Sequence, residues 1–176
     1  MKQPASVILP HLGDAAVEVL WPKAAAAYPP VDMESVSLWN PEWKVNAAEF
    51  EGTPRKLTDY AGRKNVLMTH PKDRTAPSVL ERTFTVPKQG ATLRFAVAAH
   101  EQGDWEVRVV ANGELLKKQV VDRAGDRWKQ ISVDLGKFAG KPVQLRLENA
   151  ATGWNFEFGY WSDLELKVSE QTASTR

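Results

Sequence analysis

The chain has 176 residues, of which 43% are hydrophobic and 26% charged, and its formal net charge is +1. This length and composition favour one domain with a buried core over a disordered chain. The near-neutral charge does not indicate the basic surface that binding to nucleic acid requires, so no nucleic acid partner is expected, and no run approaches the roughly 20 apolar residues of a membrane span. The absence of cysteine excludes disulfides, thiolate metal ligands and a cysteine nucleophile.

Prolines interrupt the apolar stretches of the N-terminal segment at positions 22, 29 and 30. Because proline removes a helical hydrogen bond and disfavours helix at the residue before it, residues 1–35 are predicted to form an extended arm along the domain. A disordered leader is the alternative. The first ten residues lack the basic and then apolar order of a secretion signal. The small, polar residues 169–176 are predicted to form a flexible tail.

From about residue 36 to residue 168 the hydrophobic residues alternate with polar ones. The clearest runs with a period of two are residues 93–99, 105–109, 131–135 and 143–147. Such alternation is typical of half-buried β-strands, and the pair Asn112–Gly113 after one of these runs is a strong hairpin signal. The pattern predicts an all-β domain of antiparallel strands over residues 36–168, folded as a sandwich or a barrel.

The most aromatic stretch is residues 149–167, NAATGWNFEFGYWSDLELK. Strict alternation predicts that Phe156, Phe158 and Tyr160 face the core together with the even-numbered residues that follow them. The same alternation places Trp161 on the polar face. There, either the N-terminal arm covers its ring or the ring contacts a partner.

Strands that simply alternate in direction bring every second connection to the same end of a domain. One end then collects residues 69–77, 100–105, 122–128 and 149–154, which include three tryptophans and two of the three histidines. Tryptophan can stack on the apolar face of a sugar ring, while carboxylate, amide and guanidinium groups can hydrogen bond its hydroxyls. The predicted ligand-binding residues are therefore Trp154, Trp105, His100, Asp104, Arg127, Trp128, His70 and Asn155. For Trp105 and Trp128 the alternative is that their rings plug the end of a sandwich.

Metal and catalytic motifs are sparse in this sequence. Calcium needs about six to eight oxygen ligands, and Asp163 and Glu49 are the candidate calcium ligands because they belong to the last strand and an early one. There is no Asp-x-Asp-x-Asp loop and no His-x-x-x-His pair. There is also no Gly-x-Ser-x-Gly elbow and no glycine-rich phosphate loop followed by lysine. We therefore predict that the protein is not an enzyme.

Three motifs, WEVRVVANG, WKQISVDLGKFAGKPVQLRLE and YWSDLEL, resemble those of the galactose-binding-domain-like jelly rolls. Many of these domains are carbohydrate-binding modules attached to bacterial glycoside hydrolases or to other exported proteins. The resemblance covers residues 78–168 well and residues 36–77 more loosely. It implies a β-sandwich of eight or nine strands that binds ligands through loops at one end. It often implies a structural calcium near the first and last strands as well.

The function implied by this resemblance is that of a non-catalytic carbohydrate-binding module of an exported bacterial protein. Its partners would be an oligo- or polysaccharide and other domains of a larger protein. A secreted or periplasmic location would follow, although the sequence leaves a cytoplasmic location open. The alternative is a structural or protein-docking β-sandwich without a sugar ligand, in which Trp161 and residues 1–35 meet a neighbour.

Overall fold

Ten strands form two antiparallel five-stranded sheets in the computed structural model, which describes residues 28–47 and 49–169. The strands are β1 (Lys44–Asn46), β2 (Arg55–Tyr60), β3 (Arg63–Thr69), β4 (Ser78–Thr85), β5 (Ala91–Ala99), β6 (Trp105–Ala111), β7 (Glu114–Val121), β8 (Lys129–Asp134), β9 (Pro142–Ala150) and β10 (Gly159–Val168). A short helix, α1 (Met33–Ser37), precedes them, and a 3₁₀ turn (Gly136–Phe138) lies between β8 and β9. Sheet A has the order β1-β4-β9-β6-β7 and sheet B the order β2-β3-β10-β5-β8. The predicted all-β antiparallel sandwich with jelly-roll topology is confirmed.

All ten strands belong to the unit Val31–Arg176. Residues 1–27 and 170–176 lie outside the described residues. The predicted arm and tail fall mostly within them and stay predictions, although α1 begins inside the segment predicted as the arm. Within residues 28–47 and 49–169, no helix has the length and apolar character needed to cross a bilayer.

The predicted alternation holds in the strands that enclose the main core. In β6, Trp105, Val107, Val109 and Ala111 are all buried, whereas the residues between them are half-buried. The inward faces of β5, β8 and β9 complete the same core. Because each fully buried aliphatic side chain stabilises a protein by about 1.5–3 kcal/mol relative to exposure, this core is the main source of stability for the sandwich.

The turn between β6 and β7 is the hairpin that the sequence predicts. Asn112 and Gly113 have φ angles of 50° and 82°, and two consecutive positive φ values match the right-handed twist of a two-residue hairpin. The Asn112 side chain also accepts a hydrogen bond of 2.9 Å from the Gln144 amide of β9. The turn is therefore tied to the neighbouring strand as well as to its own.

A bulge in β10 reverses the faces that the sequence pattern predicts. The pairing of β10 with β5 shifts between Ser162 and Glu165, and Asp163 has a φ of 53°. One extra residue moves all later side chains to the opposite face of a strand. Trp161 before the bulge and Leu166 after it therefore both face the core.

Trp161 is fully buried between the two sheets. Its ring centroid lies 5.0 Å from that of Trp105 and 5.8 Å from that of Phe95, and its Nε1 donates a 2.9 Å hydrogen bond to Thr69 Oγ1. The prediction that the N-terminal arm or a partner covers Trp161 is wrong, because the core itself covers it.

Phe158 and Tyr160 face away from the main core, contrary to the prediction. They form the outer-face cluster with Val66 and Ala98, on the side of sheet B opposite to sheet A. The even-numbered residues of this stretch reach the core only after the bulge, where Leu166 packs against it. The alternation rule fails here because it assumes an unbroken strand.

The β2–β3 hairpin lies across the outer-face cluster. The ring of Tyr60 stacks on that of Tyr160 at 3.7 Å with an interplanar angle of 5°. Beyond it, Trp128 Nε1 donates a 3.0 Å hydrogen bond to the carbonyl oxygen of Ala61 at the hairpin tip. The chain's own hairpin consequently covers the aromatic part of this face, whereas Arg94, Ser132 and Asp134 on the same face are exposed.

Candidate functional site

Three connections at one end of the sandwich enclose a shallow hollow of about 570 Å³, named here the rim hollow. They join β5 to β6, β7 to β8 and β9 to β10, which are connections that the alternating strand directions predict to meet. The lining residues are Glu101, Gln102, Gly103, Asp104, Asp122, Arg123, Thr152, Gly153, Trp154, Asn155 and Glu157. The structure thus brings together three of the predicted ligand-binding residues, Trp154, Asp104 and Asn155.

A buried carboxylate holds the loop that carries Trp154. Glu157 is only 1% exposed, and its carboxylate accepts hydrogen bonds of 2.6 Å from the Gly153 amide and 3.1 Å from the Thr152 amide. Asp104 accepts a further hydrogen bond from the Thr152 hydroxyl across the hollow. Backbone amides that converge on a carboxylate fix the loop conformation without a cation.

Trp154 forms the aromatic wall of the rim hollow. Its indole is half-buried and packs edge-on against Phe50 at 5.6 Å and against His70 at 5.1 Å between ring centroids. Asn155, the next residue, is exposed. A ring held from behind and open at the front is suited to stacking on a flat apolar surface, with an amide beside it for hydrogen bonds.

His70 supports Trp154 rather than facing the hollow, so its assignment as a ligand-binding residue is wrong. It is 2% exposed, stacks on Phe50 at 4.1 Å, and its Nδ1 lies 2.9 Å from the Pro71 carbonyl oxygen. That oxygen can only accept, so Nδ1 carries the proton. Burial lowers the pKa of His70 below its ordinary value, against the opposing effects of the Pro71 carbonyl and the Glu157 carboxylate.

Trp105 is also not a ligand-binding residue. It is fully buried, its ring packs on Trp161, and its Nε1 donates a 3.0 Å hydrogen bond to the carbonyl oxygen of Ala98. Gly159 lies so close that a Cβ there would stand 2.9 Å from the Trp105 ring. The alternative prediction, that this ring plugs the end of the sandwich, is the one that the structure supports.

Arg127 and Trp128 pack against Tyr60 beside the outer-face cluster and do not line the rim hollow. The Arg127 guanidinium hydrogen bonds the hydroxyl of Tyr60 and lies 5.2 Å from the centre of that ring. Trp128 contacts the guanidinium of Arg63, which lies 5.0 Å from its ring centroid. Both predicted ligand contacts are therefore used to hold the β2–β3 hairpin.

His100 lies beside the rim hollow and pairs with an aromatic ring. It stacks on Phe156 at 4.8 Å with an interplanar angle of 8°, and its Nδ1 lies 3.2 Å from the Gln102 amide that donates to it. Burial lowers the pKa of His100, the nearby Arg127 lowers it further, and Glu101 opposes both effects. The imidazole under Phe156 is therefore neutral at neutral pH.

Sequence reasoning missed several residues of the hollow, and Arg123 and Glu157 are the most consequential. Arg123 Nη1 donates a 2.8 Å hydrogen bond to the carbonyl oxygen of Glu101 and joins two of the three connections. It shares the segment DRAGDR with Arg127, and the sequence offers no signal that only the first arginine turns toward the hollow. Glu157 falls on the stripe predicted to be exposed, because the pattern contains no trace of the loop that folds around it.

The residues predicted to bind calcium do not fit that ion. Asp163 forms an ion pair with Arg63, and a guanidinium beside the carboxylate disfavours a second cation. Glu49 is exposed. Within residues 28–47 and 49–169 no three His, Cys, Asp or Glu side chains form a group that could hold a metal ion.

Comparison with known proteins bears out the fold. No protein-family model and no curated protein matches this sequence. Among solved structures, the K3 cleaved adhesin domain of Lys-gingipain from Porphyromonas gingivalis w83 matches with a TM-score of 0.51 and 15% identity, over 73% of this chain and 93% of that one. The C-terminal domain of EclA, described as a sugar-binding protein, matches with a TM-score of 0.49 and 18% identity, over 66% and 85%. A carbohydrate-binding module designated CBM4 matches with a TM-score of 0.45 and 17% identity, over 74% and 89%.

The match to the adhesin domain and the sheet topology show an antiparallel β-sandwich fold. The likeness is one of fold.

Proposed function

We propose that this domain is a non-catalytic carbohydrate-binding module that binds a glycan at the rim hollow. The observation that supports this most directly is the half-buried indole of Trp154, which faces a hollow that also holds Asp104, Arg123 and Asn155. Indole stacks on the C–H face of a sugar, and the other three side chains provide the acceptors and donors that ring hydroxyls need. Loops on a rigid sheet scaffold are also where binding sites concentrate.

The charges of the hollow favour a neutral glycan over an acidic one. Four carboxylates line it, those of Glu101, Asp104, Asp122 and Glu157, against the single guanidinium of Arg123. These carboxylates would repel the negative charge of a uronate or sulfate group. A shallow surface with one stacking ring and few hydrogen bonds should bind weakly, with Kd of roughly 10–1000 µM.

The proposal also concerns the location of the protein and the other domains joined to this one. The resemblance of its motifs to modules attached to glycoside hydrolases supports an exported bacterial protein, secreted or periplasmic, in which other domains are joined to this one. The proposal assigns no catalytic residue, and gives the domain neither a nucleic acid nor a membrane as a partner.

Calorimetry and ¹H–¹⁵N NMR titration with neutral and acidic polysaccharides test the proposal. We expect shifts in residues 101–104 and 152–157 with a neutral glycan, and loss of binding in Trp154→Ala and Asn155→Ala. Asn155 is exposed, so its replacement should leave the melting temperature unchanged even if loss of the indole does not. Leu115→Ala, on strand β7 and outside the hollow, is the control that should bind like the wild type. Absence of binding by the folded protein at millimolar glycan would refute the proposal.

A second candidate function is protein docking through strand β7. This strand is an edge of sheet A, and its Leu115 and Val120 are 51% and 47% exposed. Edge strands with exposed apolar side chains can pair with another chain. Sedimentation of the wild type and of Leu115→Lys tests this candidate. A monomer at all concentrations, with no change in the variant, would argue against self-docking at this edge.

A further inference from the structure

Phe156 is displayed on the surface at a conformational cost. The sequence pattern assigns it to the core, yet its side chain is 44% exposed and its backbone has a φ of 56°. A positive φ is a genuine outlier for a bulky residue, because the Cβ crowds the backbone in this region. Such strained residues persist only where surrounding structure imposes them, and they cluster at functional sites.

Neighbouring loops impose this conformation. A Cβ at Gly103 would lie less than 3.0 Å from the backbone oxygens of Asn155 and Phe156, so the β5–β6 connection packs directly on the backbone that presents the ring. The Glu157 carboxylate fixes the same loop from its other side. The ring is therefore held in place rather than left to adapt.

The imidazole of His100 provides a second flat ring parallel to Phe156. The two planes are 8° apart with centroids at 4.8 Å, and the Gln102 amide hydrogen bonds His100 Nδ1 and so orients the imidazole. The two stacked rings adjoin the rim hollow, because Glu101 follows His100, Asn155 precedes Phe156, and both Glu101 and Asn155 line it. Trp154 and Phe156 are two residues apart, so their Cα atoms are separated by at most about 7 Å.

We propose that Phe156, supported by His100, is a second stacking surface of the glycan site, and that the site accommodates at least two consecutive neutral sugar units. This inference rests on the proposed function at the rim hollow. One unit would stack on Trp154 and hydrogen bond Asp104 and Asn155, and the next would stack on Phe156. Length selectivity follows, because a monosaccharide can occupy only one of the two surfaces.

The test uses mono- to tetrasaccharides of β-1,4-linked glucose, xylose and galactose with the wild type, Phe156→Ala, Phe156→Gly and Phe156→Trp. The glycine variant removes the ring and relieves the positive φ, so it keeps the fold even if alanine does not. Val168→Ala is the matched control, since Val168 is 56% exposed on β10 and outside the hollow. Kd is measured by calorimetry, with chemical shift changes for the weakest ligands.

We expect the wild type to bind tri- and tetrasaccharides more tightly than the monosaccharide. Phe156→Ala and Phe156→Gly should lose about tenfold in affinity for the longer ligands and nothing for the monosaccharide, whereas Phe156→Trp should retain the wild-type length dependence. Equal affinities of Phe156→Gly and the wild type for every length would overturn the inference while leaving the Trp154 site intact. Failure of the wild type to bind any glycan would overturn both this inference and the proposed function.

Discussion

Replacement of Glu157 by Gln should destabilise the domain, although it changes only one buried heavy atom, a carboxylate oxygen that becomes an amide nitrogen. In the wild type, the Thr152 amide donates to one Glu157 carboxylate oxygen at 3.1 Å and the Gly153 amide donates to the other. In the glutamine variant, one side-chain oxygen would remain to accept from the Gly153 amide. The new Nε2–H₂ group would face the Thr152 amide. Two donors would then oppose each other in a site that is 1% exposed. An unsatisfied buried donor costs about 1–3 kcal/mol, which corresponds to a loss of roughly 3–9 °C in melting temperature for a domain of this size.

Urea unfolding followed by circular dichroism measures this free energy of unfolding. Glu101→Gln is the control, since Glu101 lines the same hollow but is exposed and should unfold at the wild-type midpoint. Glycan affinity should fall in Glu157→Gln as well, because the Trp154 loop loses one of its two main-chain anchors. Identical midpoints for Glu157→Gln and Glu101→Gln would show that the loop does not depend on this carboxylate.

Three further predictions follow from the packing. Trp161→Ala should cost about 3–5 kcal/mol in urea unfolding, as expected for a large buried ring; a surface contact would show almost no loss. Gly103→Ala should displace the loop backbone at Asn155 and Phe156, visible as chemical shift changes there and as weaker glycan binding, and an unchanged spectrum would contradict this. Because burial lowers the pKa of His70 below 6.5, the unfolded chain takes up a proton first as pH falls. Stability should therefore decline below about pH 6.5, and His70→Gln should show a smaller decline in melting temperature between pH 7 and 5.

The sequence alone predicts the strands of the core because their faces repeat at a fixed period. Trp105, Val107 and Val109 are inward at every second position, and the Asn112–Gly113 turn needs only its own two residues to be recognised. The bulge at Asp163 cannot be found in this way, since the apolar and polar residues of the sequence keep alternating through it. The face of Trp161 is fixed by the pairing of β10 with β5, which is a contact between residues far apart in the chain.

The sequence predicts where the rim hollow lies in the fold, but not all of the residues that line it. Alternating strand directions bring the correct connections to one end, and residue type alone identifies Trp154 and Asp104 as candidates. Which side chain of a loop turns inward depends on contacts across loops: Arg123 reaches the hollow, whereas Arg127 binds Tyr60. Such choices leave no periodic signal in a single sequence.

The β2–β3 hairpin limits how much aromatic surface sheet B presents to solvent. Tyr60 stacks on Tyr160 and closes the aromatic part of the outer face, whereas Arg94, Ser132 and Asp134 elsewhere on that face are exposed. Under the proposed function, sugar stacking is therefore confined to the rings at the rim hollow. Shortening the hairpin would expose Tyr160 and should create a second aromatic surface on sheet B.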